Sequence, residues 1–341
     1  VYDTKHVAEY AIDEVIAPVI AEHHHRFISD PTAVAQNAAH EVAFHRGLGN
    51  SLYPVGPAST PKLLGPEVEA YAAVAYAKNN FALVGNGIEK AELAKWSGEF
   101  FKDVSAAAPA GLPALSAPTA KYYGGETRIA HSGGSAVVIA FQGSSLIGGA
   151  SHKPEIDALA TLLGGQSAVK WSKGTSLLAK AVAAHPGVSV KTESTQYSDT
   201  GLLNITISGS HKTVAAAVKD VAAAIKSLGS SAPAAEDLKK AVAQAKFKAY
   251  DAETSDAPSY DIIGLGAVAG QIKTSEQALK SISALTPDAV KKVRHDNTVH
   301  FDQLLTFWFQ AAAELLKGKV TMVSVGDLNQ LPYAEELGLN V

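Results

Sequence analysis

The stretch Leu202-Leu203-Asn204-Ile205-Thr206-Ile207-Ser208, with the helix-spaced run Val214, Val218, Val221, Ile225 and Leu228 behind it, decides the fold class of this chain. Leu203, Ile205 and Ile207 alternate with Leu202, Asn204, Thr206 and Ser208, the two-residue period of a strand with one buried face. The run that follows recurs at steps of four and three, the period of a helix with one apolar stripe. A strand that hands over to an amphipathic helix implies helices layered on a sheet. The same grammar extends outward. Ala136 to Phe141 reads as an apolar strand, Pro154 to Leu163 as a helix, Val188 to Lys191 as a strand and Val320 to Val325 as a closing strand. Leu238, Val242 and Ala245 continue the helical pattern, and Pro258 fits the first turn of a further helix.

Toward the N-terminus the pattern is helical over residues 4–46, with a boundary at Asp30-Pro31, where Asp caps and Pro fits the first turn. Gly47-Leu48-Gly49-Asn50 ends the second of these helices. Pro66 to Asn79 reads as another helix, Phe81 to Val84 as a short apolar strand, Gly85-Asn86-Gly87 as a turn and Ile88 to Asp103 as an amphipathic helix. From Ser105 to Thr119 the composition shifts to Ala, Pro, Gly and Ser, with Pro109, Pro113 and Pro118 stiffening an extended path. The chain therefore divides into residues 1–105, a linker at 106–123 and residues 124–341.

An internal repeat relates the two parts. Phe81-Ala-Leu-Val-Gly85-Asn86 and its following helix parallel Met322-Val-Ser-Val-Gly326-Asp327 with Leu331 and Leu337, each a buried strand, a Gly, a polar cap and a helix. Gly85 and Gly326 lie 241 residues apart. That span predicts a whole unit in 124–341 and an incomplete one in 1–105, short of its front half.

Composition narrows the function classes. The 341 residues carry a formal charge of −4, with hydrophobic residues at 47% and charged residues at 18%, which is globular rather than disordered. Without a dense basic run, nucleic acid is not an expected partner. The absence of cysteine excludes disulfides, thiol nucleophiles and Cys-ligated zinc or iron–sulfur sites. The longest apolar run, Leu304 to Leu316, is broken by Gln310 and Glu314 and falls short of a bilayer span. Val7, Tyr10, Val15, Val19 and Ile20 among polar residues form an amphipathic helix rather than a targeting segment.

Gly47-Leu-Gly-Asn-Ser-Leu52, Val169-Lys-Trp171 with Gly174-Thr-Ser-Leu-Leu178, and Tyr197-Ser-Asp-Thr-Gly201-Leu202 form a series along the chain. Ser324-Val-Gly-Asp327 with Leu331-Pro-Tyr333 and Glu335-Glu-Leu337 closes it. In this order the motifs resemble the mitochondrial processing-peptidase family, on the branch of the core protein 2 subunits of ubiquinol–cytochrome c reductase (respiratory complex III). The resemblance implies an α+β fold of two homologous peptidase-like domains. Each would be a mostly antiparallel sheet with helices packed on one face, the first domain incomplete at its N-terminus. It implies a noncatalytic scaffold, peripheral to the inner mitochondrial membrane on its matrix side, without a cofactor. The implied partners are core protein 1, cytochrome b, the c-type haem subunit and the iron–sulfur subunit of a dimeric complex. The alternative within the family is a subunit of a zinc-dependent peptidase that cleaves presequences. Active members carry H-x-x-E-H, which binds zinc and activates water; the 341 residues do not contain it. The short Gly164-Gly165 pair, where the noncatalytic peptidase subunit has a long glycine-rich loop, also favours the core-protein branch.

The remaining candidates have simpler readings, so no catalytic, cofactor or metal residue is assigned. His40-Glu41-Val-Ala-Phe-His45 has one residue too many between its histidines for both to share a helix face. It predicts His40 and Phe44 packed and His45 solvated. His23-His24-His25 beside Glu22 points in different directions around a helix. Gly85-Asn86-Gly87 and Gly326-Asp327 lack the G-x-G-x-x-G and P-loop signatures, and Gly264-Leu-Gly266 reads as close helix packing. The Ser and Asp residues near His131 and His152 show no nucleophile motif. Residues 293–310, VRHDNTVHFDQLLTFWFQ, read as an insertion between helices like Pro287 to Lys292 and Ala311 to Lys317. This stretch is either a retained intron or a genuine insertion burying Leu304, Leu305, Phe307 and Trp308 at an interface.

Overall fold

The computed structural model describes residues 9–53, 64–107, 109, 111, 119–146, 149, 151–165, 174–230 and 317–341, with 236–237, 240–241, 243–244, 247, 263–264 and 266–268. The readings at Val169–Trp171, Leu238, Val242, Ala245, Pro258, Leu304–Leu316 and 293–310 lie outside the described residues. Contacts divide the chain into two units. One takes in Val1–Phe27, Tyr53–Pro118 and Ser255–Ile272; the other takes in Ile28–Leu52, Thr119–Thr254 and Lys273–Val341.

The second unit is built on a five-stranded sheet. Its strands are β1 (Gly125–Ala130), β2 (Ser135–Gln142), β3 (Ser189–Gln196), β4 (Gly201–Gly209) and β5 (Thr321–Gly326), in the order β1-β5-β2-β4-β3. Only β1 and β5 run parallel; the other pairs are antiparallel, with Ile139 opposite Met322 on one side and Ile205 on the other. Val137, Ile139, Phe141, Leu203, Ile205, Ile207 and Met322 point to one face. There they meet Ile156, Leu159 and Leu163 of α6 (Pro154–Leu163) and Leu178 of α7 (Leu177–Ala181). Val214, Val218, Val221 and Ile225 of α8 (His211–Ser230) complete this core, as the helical spacing predicts.

The opposite face is also covered, which corrects the expectation of helices on one face only. Helix α3 (Pro31–Phe44) lays Ala35, Ala38, Ala39, Ala43 and Phe44 on Ala136, Val138, Ala140, Leu202, Val323 and Val325. Alanine on both sides lets the helix backbone approach the sheet closely. Seven successive residues of β2 and seven of β4 are consequently buried, so β4 does not have the single buried face its alternation predicts. Asn204 and Thr206, the polar members of that alternation, are hidden; Gln36 donates to Thr206 Oγ1 at 3.4 Å and Asn204 to Thr195 Oγ1 at 3.4 Å. This packing is also why Ile28–Leu52 groups with the second unit, although the linker-based division places it in 1–105. The expected start of α3 is observed: Asp30 accepts from Thr32 N–H at 2.8 Å, and Pro31 opens the first turn.

The other unit contains α1 (Glu9–Ala11), a π-helical turn (Ile12–Ile16) and the body of α2 (Ala17–Ser29), then α4 (Gly65–Ala75) and α5 (Lys90–Phe100). Phe81 to Val84 is extended but not a strand, and Leu83 is half-exposed. A strand exists only where a neighbour takes its N–H and C=O groups, and no described residue does so here. The two glycines of the repeat also differ. A Cβ on Gly85 would press on Ile88 at 2.8 Å and Leu93 at 3.0 Å. Gly326 has φ +136°, and a Cβ there would collide with the Ser135 side chain. Among the described residues no helix is long and apolar enough to cross a membrane.

Candidate functional site

Five groups of polar side chains have the residue types of a reactive site, and four of them are tied into internal hydrogen bonds. His40, in α3, places Nδ1 2.9 Å from the carbonyl of Gln36, which fixes the proton on that nitrogen. Its Nε2 then accepts from the Tyr197 hydroxyl at 2.8 Å, leaving no nitrogen for a metal. His45 has left the helix at φ +60° and stacks on Tyr123, ring centroids 4.1 Å apart. Glu41 accepts from Asn37 at 2.7 Å. The H-E-x-x-x-H residues therefore do not converge. His40 and Phe44 pack as expected, while exposed His45 stacks on Tyr123 as well as meeting solvent.

His23, His24 and His25 sit on successive positions of α2, where Glu22 pairs with Arg26 one turn on. Among the described residues no three His, Asp or Glu side chains gather as a metal site would require. At the β5 glycine, Asp327 turns its carboxylate to Asn329 N–H at 3.1 Å and Gln330 Nε2 at 2.6 Å, closing the turn on itself. His131 accepts from Gly133 N–H at 2.9 Å and donates from Nε2 to the Ile28 carbonyl at 2.8 Å.

Ser144, His152 and Asp157 come nearest to a catalytic arrangement. His152 Nδ1 lies 3.3 Å from Ser144 Oγ and 3.2 Å from the Ser145 carbonyl. Ser144, however, has no exposed surface, gives its hydrogen to the Ser145 carbonyl at 3.0 Å and accepts from Lys153 N–H at 2.8 Å. Asp157 commits its carboxylate to β3, accepting from Ser194 and Gln196, each at 2.7 Å. A nucleophile needs access and a base free to take its proton; this cluster offers neither. Asp157 pins the first turn of α6 to β3, and Ser144 ties the segment after β2 to Lys153, just before α6.

Burial raises the Asp157 carboxyl above its usual range, against the Ser194 and Gln196 bonds and the attraction of His152, while Glu155 adds to the rise. The folded chain thus binds this proton more tightly than the unfolded one. The resulting stability is fully present below the ordinary carboxylate value and is lost as pH rises through the raised value. Asp157→Asn keeps an acceptor for Gln196 and a donor for Ser194 without the charge. Its stability relative to the wild-type chain is expected to increase as pH rises through that window. Paired urea-unfolding midpoints at acid and neutral pH check this; parallel pH curves would refute it.

Two clasps have no sequence motif. Tyr122 places its hydroxyl 3.2 Å from the Ala140 carbonyl, 3.1 Å from the Lys319 carbonyl and 3.0 Å from Thr321 Oγ1. Burial, the dominant cause, pushes the phenol up to about 12 despite the Thr321 bonds, so it stays neutral. Arg128 collects the carbonyls of Leu328, Leu331 and Pro332. Both residues fasten chain segments to the sheet.

These features define an α+β domain class: a mostly antiparallel sheet covered on both faces by helices. Comparison with known proteins is consistent with that class. Residues 66–245 match the model described as the Peptidase M16 inactive domain. The mitochondrial cytochrome b-c1 complex subunit 2 of Neurospora crassa is 40% identical over 92% of this chain, which spans 64% of that relative's length. The proteins of the same name from Cryptococcus neoformans and Schizosaccharomyces pombe are 34% and 31% identical, over 97% and 99% of this chain and 69% and 72% of their own lengths. A chain in the solved structure titled "Complex III2 from Candida albicans, Inz-5 bound" shares the fold, with a TM-score of 0.71 at 16% identity. The match covers 96% of this chain and 76% of that one. The chain belongs to the cytochrome b-c1 complex subunit 2 family, within the inactive M16 peptidase-like proteins.

Proposed function

We propose that this chain is a noncatalytic scaffold subunit of mitochondrial ubiquinol–cytochrome c reductase, peripheral to the inner membrane on its matrix side. The observation that carries the reading is the similarity, along almost the whole chain, to relatives named cytochrome b-c1 complex subunit 2. The inward-turned polar groups support it, since a scaffold contributes buried area and shape rather than a reactive cleft. Core protein 1, cytochrome b, the c-type haem subunit and the iron–sulfur subunit are the partners of this reading, in a dimeric complex. The reading also takes the chain as parts of two related peptidase-like domains; its support is the sequence repeat between Phe81–Asn86 and Met322–Asp327, although the two segments differ in structure. The zinc-peptidase alternative is weaker: the Dictyostelium discoideum mitochondrial-processing peptidase subunit alpha-2 is 24% identical over 98% of this chain.

Native-gel separation of mitochondrial membranes with haem staining and mass spectrometry tests the proposal. The chain is expected in the band that holds cytochrome b and the c-type haem. Recovery only in a soluble, haem-free fraction with presequence-cleaving activity would overturn it.

A further inference from the structure

We draw no further inference here: the strongest candidate, the exposed apolar stripe of α5 made by Trp96 and Phe100 beside Leu83 and Ile88, carries nothing because nothing among the described residues shows what covers it.

Discussion

Phe44→Ala is expected to destabilise the second unit by about 3–5 kcal/mol, the range for removing a fully buried Phe. Phe44 is 2% exposed and ends α3, the helix that covers the second face of the sheet. Its ring sits 6.3 Å from those of His40, Tyr122 and Tyr197, the two tyrosines presenting edges to it. The upper part of the range is expected, because the cavity has few ways to close. The neighbouring α3 core positions are Ala35, Ala38, Ala39 and Ala43, and the sheet beneath offers Ala136 and Ala140 among the strand-held Val138, Leu202, Val323 and Val325. Alanine side chains cannot swing into a void. The tyrosines are held in place: Tyr122 by its three oxygen partners, Tyr197 by His40. Phe44→Leu refills most of the volume and is expected to recover more than half of the loss. Chemical denaturation, with hydrogen exchange read at the amides of Ala136 to Phe141, measures both variants. A loss for Phe44→Ala below about 1 kcal/mol, the scale of a surface change, would mean that α3 is not part of this core.

The alanines of α3 also explain what could be read in the sequence and what could not. Pro154–Leu163 is found with the bounds its pattern predicts, and Asp30-Pro31 marks its helix start, because caps and helical periods are local properties. Helix α3 shows its boundaries in the sequence but not its role. Alanine is the commonest helix former and a weak apolar signal, so nothing in the pattern distinguishes a helix that seals a sheet from an exposed one. The consequence propagates to β4, where Asn204 and Thr206 suggest a wet face that α3 in fact covers. Strand β1 escaped the pattern for a different reason. GETRIA is an edge strand with partly exposed residues throughout, so no alternation marks it. At Phe81 to Val84 the opposite happened: an apolar run suggests a strand, yet pairing is a property of two segments. The candidate sites divide similarly. Motif spacing suffices to discount the His40–His45 and glycine-loop readings. The polar clasps that do exist join residues 39, 199 and 204 positions apart, which no local pattern can link.

Arg128→Met is expected to cost about 3–5 kcal/mol, since three carbonyls lose their charged donor at about 1–3 kcal/mol for each acceptor left unsatisfied. Arg128 projects from β1, opposite Ser324 of β5, and its side chain is 13% exposed. The guanidinium donates to the carbonyls of Leu328 at 2.7 Å, Leu331 at 2.9 Å and Pro332 at 3.1 Å, and stands 3.8 Å over the ring of Tyr333. Glu126, two residues along the same strand face, sits 3.6 Å from Arg128 and accepts from Ala334 N–H at 3.3 Å. The segment after β5 is thereby fastened from both kinds of backbone group. Charge-assisted bonds to carbonyls are worth about 1.5–3 kcal/mol each, and three sharing one donor do not add in full. Methionine keeps much of the stem's packing, so the loss reports the bonds rather than the volume. Arg128→Lys supplies a point charge without the fork and is expected to recover less than half. The double variant Glu126→Gln with Arg128→Met separates two accounts of the effect. If the loss came from an unpaired Glu126 charge, removing that charge would restore stability. If it comes from three stranded carbonyls, the double variant stays as unstable as Arg128→Met, with faster exchange at the amides of Ala334 and Leu339. The second outcome is expected, because Glu126 retains the Ala334 N–H and solvent access in the single variant, whereas each carbonyl loses the donor that the fold aims at it.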